Sequence, residues 1–455
     1  MQRYSRNARR AIGLAAISAV ALGTVACSGG GEGGGSDGGK TTITVAAVSN
    51  PQIEDLQSLA KEFEAEHENI SVKFSILPES QLQDKVTQDI ATKSGQYDAV
   101  MLGPDQATVW AQNGWITNLS EYADAEDSDY DVEDLIPSVR EALSTDGNLY
   151  AVPFYSEGAF LTYRKDLFEA AGLTMPAQPT WTDILGFAEA LNKPGEMAGI
   201  CLRGAPTSGA QMVYTTMIDS FGGAWYDMDW NSTLDAPEAK EAMSTYLQLQ
   251  EYGVAGSTAV DFPECLNAYA QGQAAMWYDA TVGATVIEDP ESSTVVGKSG
   301  YAPGPVEVTE AADWFWAWSF AVPDTSANKD AAWEFISWAT SKDYAQLVGS
   351  ELGWLHVPPG TRTSTYEIPE YQEATAAFGQ ETLQVIGAVD IKDPGTEPRP
   401  YVGGGWLALP EGQSLQIMLA QEISAALAGS QSVDEALANA AEKADAAAVE
   451  AGRQK

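Results

Sequence analysis

An alternation of strand and helix patterns between residues 42 and 102 constrains the fold of this chain most strongly. Residues 42–48 and 97–102 are apolar runs, and residues 72–76 alternate apolar with polar side chains, so three strands are predicted. Apolar residues at helical spacing in 53–63 and 82–90 predict a helix between each pair of strands. This βαβαβ order predicts an α/β fold built on a parallel, doubly wound sheet.

Polar residues follow each of these predicted strands. The strands end at Asn50, at Pro78-Glu79 and at Gly103-Pro104-Asp105. In doubly wound sheets, ligands bind beyond the carboxyl ends of the strands. We therefore expect Asn50 and Asp105 to contribute to a ligand site.

The N-terminal segment has the pattern of an export signal. Four arginines precede an apolar run at residues 11–25, which is too short and too rich in Ala and Gly to span a membrane. Cys27 follows, and then a Gly/Ser-rich linker reaches residue 40. The arrangement resembles the bacterial lipoprotein signal, which implies a signal peptide at 1–26, lipidation of Cys27 and a tether at 27–40. A plain secretory signal with an incidental cysteine is the alternative, and both Sec and Tat export remain open.

Charge and composition exclude several classes of protein. The net charge of −40 disfavours nucleic acid and direct adhesion to anionic lipid, because both require a basic surface. We therefore expect membrane contact only through a lipid anchor. With two histidines and three cysteines, the chain has little material for a zinc site or a Cys/His catalytic site. We expect no metal, no cofactor and no enzymatic activity.

Two cysteines remain if Cys27 carries lipid. Cys201 and Cys265 form an even pair in a chain expected to leave the reducing cytoplasm, so a disulfide between them is predicted. Two free buried thiols are the alternative.

Several stretches resemble the family 1 extracellular solute-binding proteins of bacterial ABC importers. They are YRKDLFEAAGL at 163–173, PTWTD at 179–183, FAEAL at 187–191 and YAQGQAAMW at 269–277. Within the second of these, Thr180 with Asp183 three residues later is a capping-box pattern, which predicts a helix through Leu191. Further stretches are similar to the sugar-alcohol branch of that family, the mannitol and sorbitol type: GICLRG at 199–204, FGGAW at 221–225, WYDAT at 277–281, Trp354 with PPGTR at 358–362, and RPY at 399–401.

The resemblance implies a two-lobe, periplasmic-binding-protein-like (type II) α/β fold with a ligand cleft between the lobes. Residues 41–156 and 276–334 would form lobe 1, and residues 157–275 and 335–455 would form lobe 2. The resemblance also implies a monomer outside the cytoplasm that captures a polyol or sugar and delivers it to the transmembrane subunits of an ABC permease.

A polyol offers many hydroxyl groups along an apolar C–H surface, so its site needs charged hydrogen-bonding groups beside flat aromatic rings. Some candidates are equally explained as packing residues or as members of structural ion pairs, as is the case for Trp316 and Arg203. The expected ligand-binding residues are Asn50, Asp105, Tyr155, Glu157, Arg203, Trp225, Asp279, Trp316 and Arg399.

Two other functions fit the same composition. An exported glycoside hydrolase needs only a pair of carboxylates, although the strand and helix order lacks the eightfold repeat of a barrel. A surface protein that binds sugar without transport would share the cleft but have no permease.

Overall fold

A computed structural model describes residues 40–125, 129–310, 312, 314–392 and 398–454. The predicted signal peptide, Cys27 and the linker through residue 39 lie outside these residues. Within the described part, none of the helices is long and apolar enough to cross a membrane.

The secondary structure is mixed α/β, as predicted. The strands are β1 Thr41–Val48, β2 Ile70–Leu77, β3 Ala99–Leu102, β4 Ser144–Thr145, β5 Asn148–Leu149, β6 Val152–Arg164, β7 Met276–Ala280, β8 Ser299–Pro303 and β9 Phe315–Ala321. The helices are α1 Pro51–Glu66, α2 Glu79–Thr92, α3 Pro104–Gln112, α4 Ser120–Ala123, α5 Pro137–Ala142, α6 Lys165–Ala171, α7 Trp181–Leu191, α8 Ser208–Ser220, α9 Pro237–Glu251, α10 Phe262–Ala270, α11 Gly283–Ile287, α12 Lys329–Ala339, α13 Lys342–Glu351, α14 Pro369–Ala374, α15 Gly379–Ala388, α16 Gly412–Leu427 and α17 Val433–Glu450.

The first three strands confirm the predicted βαβαβ unit. β1 pairs in parallel with β2 on one side and with β3 on the other. α1 buries Ile53, Leu56 and Phe63, the apolar residues whose spacing predicted it. The carboxyl ends of these strands therefore lie at one edge of the sheet.

The long strand β6 links two parts of the sheet. The order is β2-β1-β3-β9-β6-β7, with β8 also paired to β6. Residues 152–158 of β6 pair antiparallel with β9, whereas residues 159–164 pair with β7 and β8. The chain thus passes through Ser156-Glu157 as an unbroken strand and changes partners beyond Gly158. The expected lobe boundaries stay a prediction.

The chain between β6 and β7 is mainly helical and contains α6 to α10. α7 begins at the predicted capping box, in which Thr180 and Asp183 satisfy each other's backbone N–H groups. Further along, the Tyr214 hydroxyl on α8 donates to the carbonyl of Ala239 on α9. The Tyr226 hydroxyl donates to the carbonyl of Ala444 on α17. The first bond ties α8 to α9, and the second ties the C-terminal helix α17 to the segment that follows α8.

The predicted disulfide between Cys201 and Cys265 is confirmed. Their Cα atoms are 5.5 Å apart, and both residues are fully buried. The bond joins the segment before Arg203 to α10, a helix that the sequence analysis missed. A capping box of Asp261 and Glu264 starts α10 and was the available signal.

Gly360 gives the first testable prediction. It has a φ of +70°, and an added Cβ would overlap the carbonyl oxygen of Ser156 on β6. Gly360→Ala should therefore lower the free energy of unfolding by more than about 3 kcal/mol, from backbone strain plus steric overlap. Gly114 has a φ of +64° and open space around it. Gly114→Ala should cost only about 1–2 kcal/mol. If the two variants lose the same free energy of unfolding in chemical denaturation, the close approach of Gly360 to Ser156 does not contribute to the effect.

Candidate functional site

Polar side chains from the ends of the first three strands meet at one edge of the sheet. Asn50 caps α1 and donates from Nδ2 to the Tyr155 hydroxyl at 2.9 Å. Asp105 lies in the first turn of α3, is nearly buried, and accepts from the backbone N–H of Gln106. Glu79 is the first residue of α2. The edge therefore presents one amide and two carboxyl groups.

Arg203 and Asp279 form a two-pronged ion pair. The Arg203 Nε donates to one carboxylate oxygen of Asp279 at 2.8 Å, and a terminal nitrogen donates to the other at 2.5 Å. Asp261 lies 3.6 Å from the remaining terminal nitrogen, and the Phe262 ring lies 5.2 Å from the guanidinium carbon. Only 13% of the Arg203 side chain and none of Asp279 is exposed, so the pair is fixed in geometry.

Glu157 projects from β6 toward this ion pair. Removal from water raises the pKa of Glu157 to about 8, while Arg203 lowers it and the neighbouring Asp279 and Glu79 raise it. The residue is 7% exposed, so its carboxyl group is largely removed from water. Glu157 therefore holds a proton at neutral pH and can both donate and accept a hydrogen bond.

The other two carboxyl groups share this environment. Solvent reaches Glu79, yet the protein atoms crowded around it reduce its hydration and raise its pKa to about 7, with Arg203 opposing the rise. Burial raises the pKa of Asp105 to about 6, opposed by the backbone N–H groups it accepts from. Glu79, Glu157, Asp261 and Asp279 thus all interact with one guanidinium, whereas Asp105 acts on Glu79.

An indole ring forms one wall of the site. Trp316 on β9 pairs directly with Glu157 on β6, so the two side chains project from the same face of the sheet. The ring lies against Gly103, where an added Cβ would overlap it. Trp318 supports it edge-on, with ring centroids 5.5 Å apart. The absence of a side chain at Gly103 therefore lets the ring lie at the strand ends.

Trp225 and Arg399 belong to a second group. Arg399 pairs with Asp219 at 3.1 Å, and its guanidinium lies 5.4 Å from the centre of the Tyr401 ring. The Tyr401 hydroxyl accepts from the backbone N–H of Trp225. Burial raises the pKa of Asp219 to about 6, although Arg399 lowers it.

Helix α8 spans the distance between the two groups. Arg203 packs against Gly209 in the first turn of α8, and Asp219 follows ten residues later. At the helical rise, this separation is about 15 Å.

The structure therefore brings seven predicted residues together in a first group. Its members are Asn50, Asp105, Tyr155, Glu157, Arg203, Asp279 and Trp316. The sequence analysis missed Glu79 and Asp261. Glu79 stood at a predicted strand end, and Asp261 stood in a capping-box pattern.

The side chains of the first group are suited to hydrogen bonding. Among the described residues, no cluster of His, Cys, Asp and Glu has the geometry to hold a metal ion. A guanidinium, the protonated Glu157, carboxylates, a tyrosine hydroxyl and an indole face together match a ligand with many hydroxyl groups on an apolar backbone.

Comparisons with known families, sequences and solved structures show which proteins this chain is similar to. The family model described as "Bacterial extracellular solute-binding protein" matches residues 49–346. A mannitol-binding protein of Pseudomonas aeruginosa is 41% identical over 406 residues, covering 88% of this chain and 92% of the relative.

Two solved structures have the same fold. An ABC transporter solute-binding protein of Agrobacterium vitis S4 with bound D-mannitol has a TM-score of 0.87 at 41% identity and covers 90% of this chain and 99% of its own. A solute-binding protein of Agrobacterium radiobacter K84 in complex with ribitol has a TM-score of 0.79 at 26% identity and covers 89% and 98%.

Proposed function

Because this chain belongs to the bacterial extracellular solute-binding protein family, we propose that it captures a sugar alcohol and delivers it to an ABC permease. The observation that supports this proposal most directly is the Arg203–Asp279 ion pair, which faces the nearly buried Glu157 beside the Trp316 ring. The names of the relatives support an acyclic polyol, since mannitol and ribitol are both open-chain sugar alcohols.

Each part of the first group has a role in this proposal. The Nε and one terminal nitrogen of Arg203 donate to Asp279, and the other terminal nitrogen, which lies 3.6 Å from Asp261, would use its second hydrogen to donate to a ligand hydroxyl. Protonated Glu157 donates to one hydroxyl and accepts from another, and the Trp316 face covers the C–H groups. Trp225 and Arg399 remain proposed ligand contacts at the far end of α8.

The charge of the site favours a neutral ligand. Glu79, Asp261 and Asp279 interact with a single arginine, and Asp105 adds a further carboxyl group close to Glu79. A sugar acid or sugar phosphate would add a further negative charge in a poorly hydrated space, where like charges repel strongly. We therefore propose selection against acidic derivatives of the same carbon skeleton.

The remaining parts of the function are proposals of the same kind. Cys27 would anchor the protein by lipid to the outer face of the cell membrane, and residues 28–40 would tether it. The two lobes would close over the ligand by hinge motion about β6. The protein would act as a monomer, without turnover, and its closed form would dock on the permease.

A thermal-shift screen of the mature protein tests the proposal. D-Mannitol, D-sorbitol or ribitol should raise the melting temperature by several degrees, since 100-fold excess over Kd adds about 2.7 kcal/mol. D-Gluconate should give a smaller shift than D-sorbitol. No shift with any polyol, hexose or disaccharide would reject ligand capture. Release of reducing sugar from oligosaccharides would favour the hydrolase.

A further inference from the structure

Arg203 lies in a short segment, residues 201–207, that is held from several sides. The backbone N–H of Cys201 donates to the carbonyl of Met276 on β7 at 2.9 Å. On α9, the Tyr246 hydroxyl donates to the carbonyl of Arg203, and Gln250 donates to that of Leu202 at 3.2 Å. Two neighbouring elements therefore fix the backbone on either side of Arg203.

The guanidinium itself depends on a third element, α10. Asp261, the N-cap of α10, lies 3.6 Å from a terminal nitrogen of Arg203 and also accepts from the Thr207 hydroxyl at 2.9 Å. The next residue, Phe262, places its ring 5.2 Å from the guanidinium carbon. The first residues of α10 thus set one side of the space in which Arg203 lies, opposite Asp279.

The disulfide fastens α10 to this segment. Cys265 follows Asp261 by four residues, about one helical turn, and Cys201 precedes Arg203 by two. Both sulfurs lie in a small apolar cluster, around Val260, Tyr269 and Trp277, that is separate from the main core. The covalent bond therefore limits how far α10 can move relative to the segment that carries Arg203.

We propose that the Cys201–Cys265 disulfide is a positioning element of the ligand site, holding Asp261 and Phe262 against Arg203 so that its guanidinium faces the ligand in one geometry. The expected effect of the disulfide on ligand affinity rests on the proposed function, whereas its expected effect on residues 201–207 does not.

A double-mutant cycle tests the effect on affinity. Cys201→Ala/Cys265→Ala should weaken D-mannitol binding at least 10-fold at a temperature where the variant is folded. Arg203→Lys keeps the positive charge but cannot make two parallel hydrogen bonds to Asp279, so it should also weaken binding. If the disulfide acts through Arg203, the triple variant should bind no more than about 2-fold weaker than Arg203→Lys alone. If the fold-changes of the disulfide-free variant and of Arg203→Lys instead multiply in the triple variant, the two act independently and the proposal is wrong.

Hydrogen exchange of the ligand-free protein tests the positioning directly. In the disulfide-free variant, the amides of Gly204 and Ala205, which both donate to the carbonyl of Val260, should exchange at least 10-fold faster. Amides of α6 should not change. Unchanged exchange at 204 and 205 would overturn the proposal even if no polyol binds. If the Ala variant does not fold, Cys201→Ala/Cys265→Val replaces some of the lost volume and serves in both experiments.

Discussion

Arg203→Ala should weaken polyol binding about 10- to 100-fold. The substitution removes the donor to the ligand and leaves Asp279, which has no exposed surface, without its cation. A charge-assisted hydrogen bond contributes about 1.5–3 kcal/mol, and each 1.4 kcal/mol is tenfold in Kd. Breaking a buried ion pair should also cost about 3–5 kcal/mol of stability. Calorimetric titration well below the melting temperature separates the two effects.

Arg164 provides a matched control. It forms the same two-pronged geometry with Asp166, at 2.7 and 2.6 Å, and its side chain is 10% exposed. It follows Glu157 by seven residues on β6, about 23 Å along the strand. Arg164→Ala should lower stability less than Arg203→Ala, because its partner Asp166 is 42% exposed and stays hydrated, and it should leave Kd within about twofold. A folded Arg203→Ala protein that binds as tightly as the Arg164→Ala protein would remove Arg203 from the site.

The sequence predicted those parts of the fold that depend on local periodicity. Apolar spacing in 42–102 gave the βαβαβ unit, and the Thr180–Asp183 pattern gave the start of α7, because both signals are contained in a few neighbouring residues. The α/β class and the two-lobe, periplasmic-binding-protein-like fold are confirmed by the family match and the structural neighbours. The export and anchoring predictions fall on residues outside those the structure describes.

The path of β6 shows what local signals miss. Ser156, Glu157 and Gly158 look like the polar end of a strand, yet pairing with Ala317, Trp316 and Phe315 of β9 keeps them extended. Arg203 and Asp279 are 76 residues apart in sequence, so nothing local indicated that they would meet. The alternative of a structural ion pair for Arg203 and its role as a proposed ligand contact turn out to be compatible, because Asp279 occupies only part of the guanidinium.

Glu157 should make the stability of the ligand-free protein fall as the pH rises. Its pKa is about 8 in the folded protein against a model-peptide value of 4.5, because the carboxyl group is removed from water and faces Asp279 and Glu79, although Arg203 opposes the rise. Between these values the folded state binds more protons than the unfolded state, so the free energy of unfolding decreases with increasing pH. The contribution is fully present below about pH 4.5 and is lost as the pH passes through 8.

Glu157→Gln isolates this contribution, since glutamine is neutral at every pH. The stability of the wild type relative to Glu157→Gln should be greater at pH 5 than at pH 8.5, by more than about 1.4 kcal/mol, the equivalent of one pKa unit. Urea denaturation at the two pH values measures it. Glu189→Gln, on the exposed side of α7, should keep the wild-type pH dependence.

The same variant also decides which form of Glu157 binds the ligand. Glutamine retains one donor and one acceptor, so polyol affinity at pH 6 should stay within a few-fold of the wild type if the neutral carboxyl group is the binding form. At pH 9 the wild-type group is ionised beside Asp279 and can only accept, so wild-type affinity should fall while that of Glu157→Gln changes less. A wild-type affinity that rises with pH, together with weak binding by Glu157→Gln at both pH values, would show instead that the carboxylate accepts from the ligand hydroxyls.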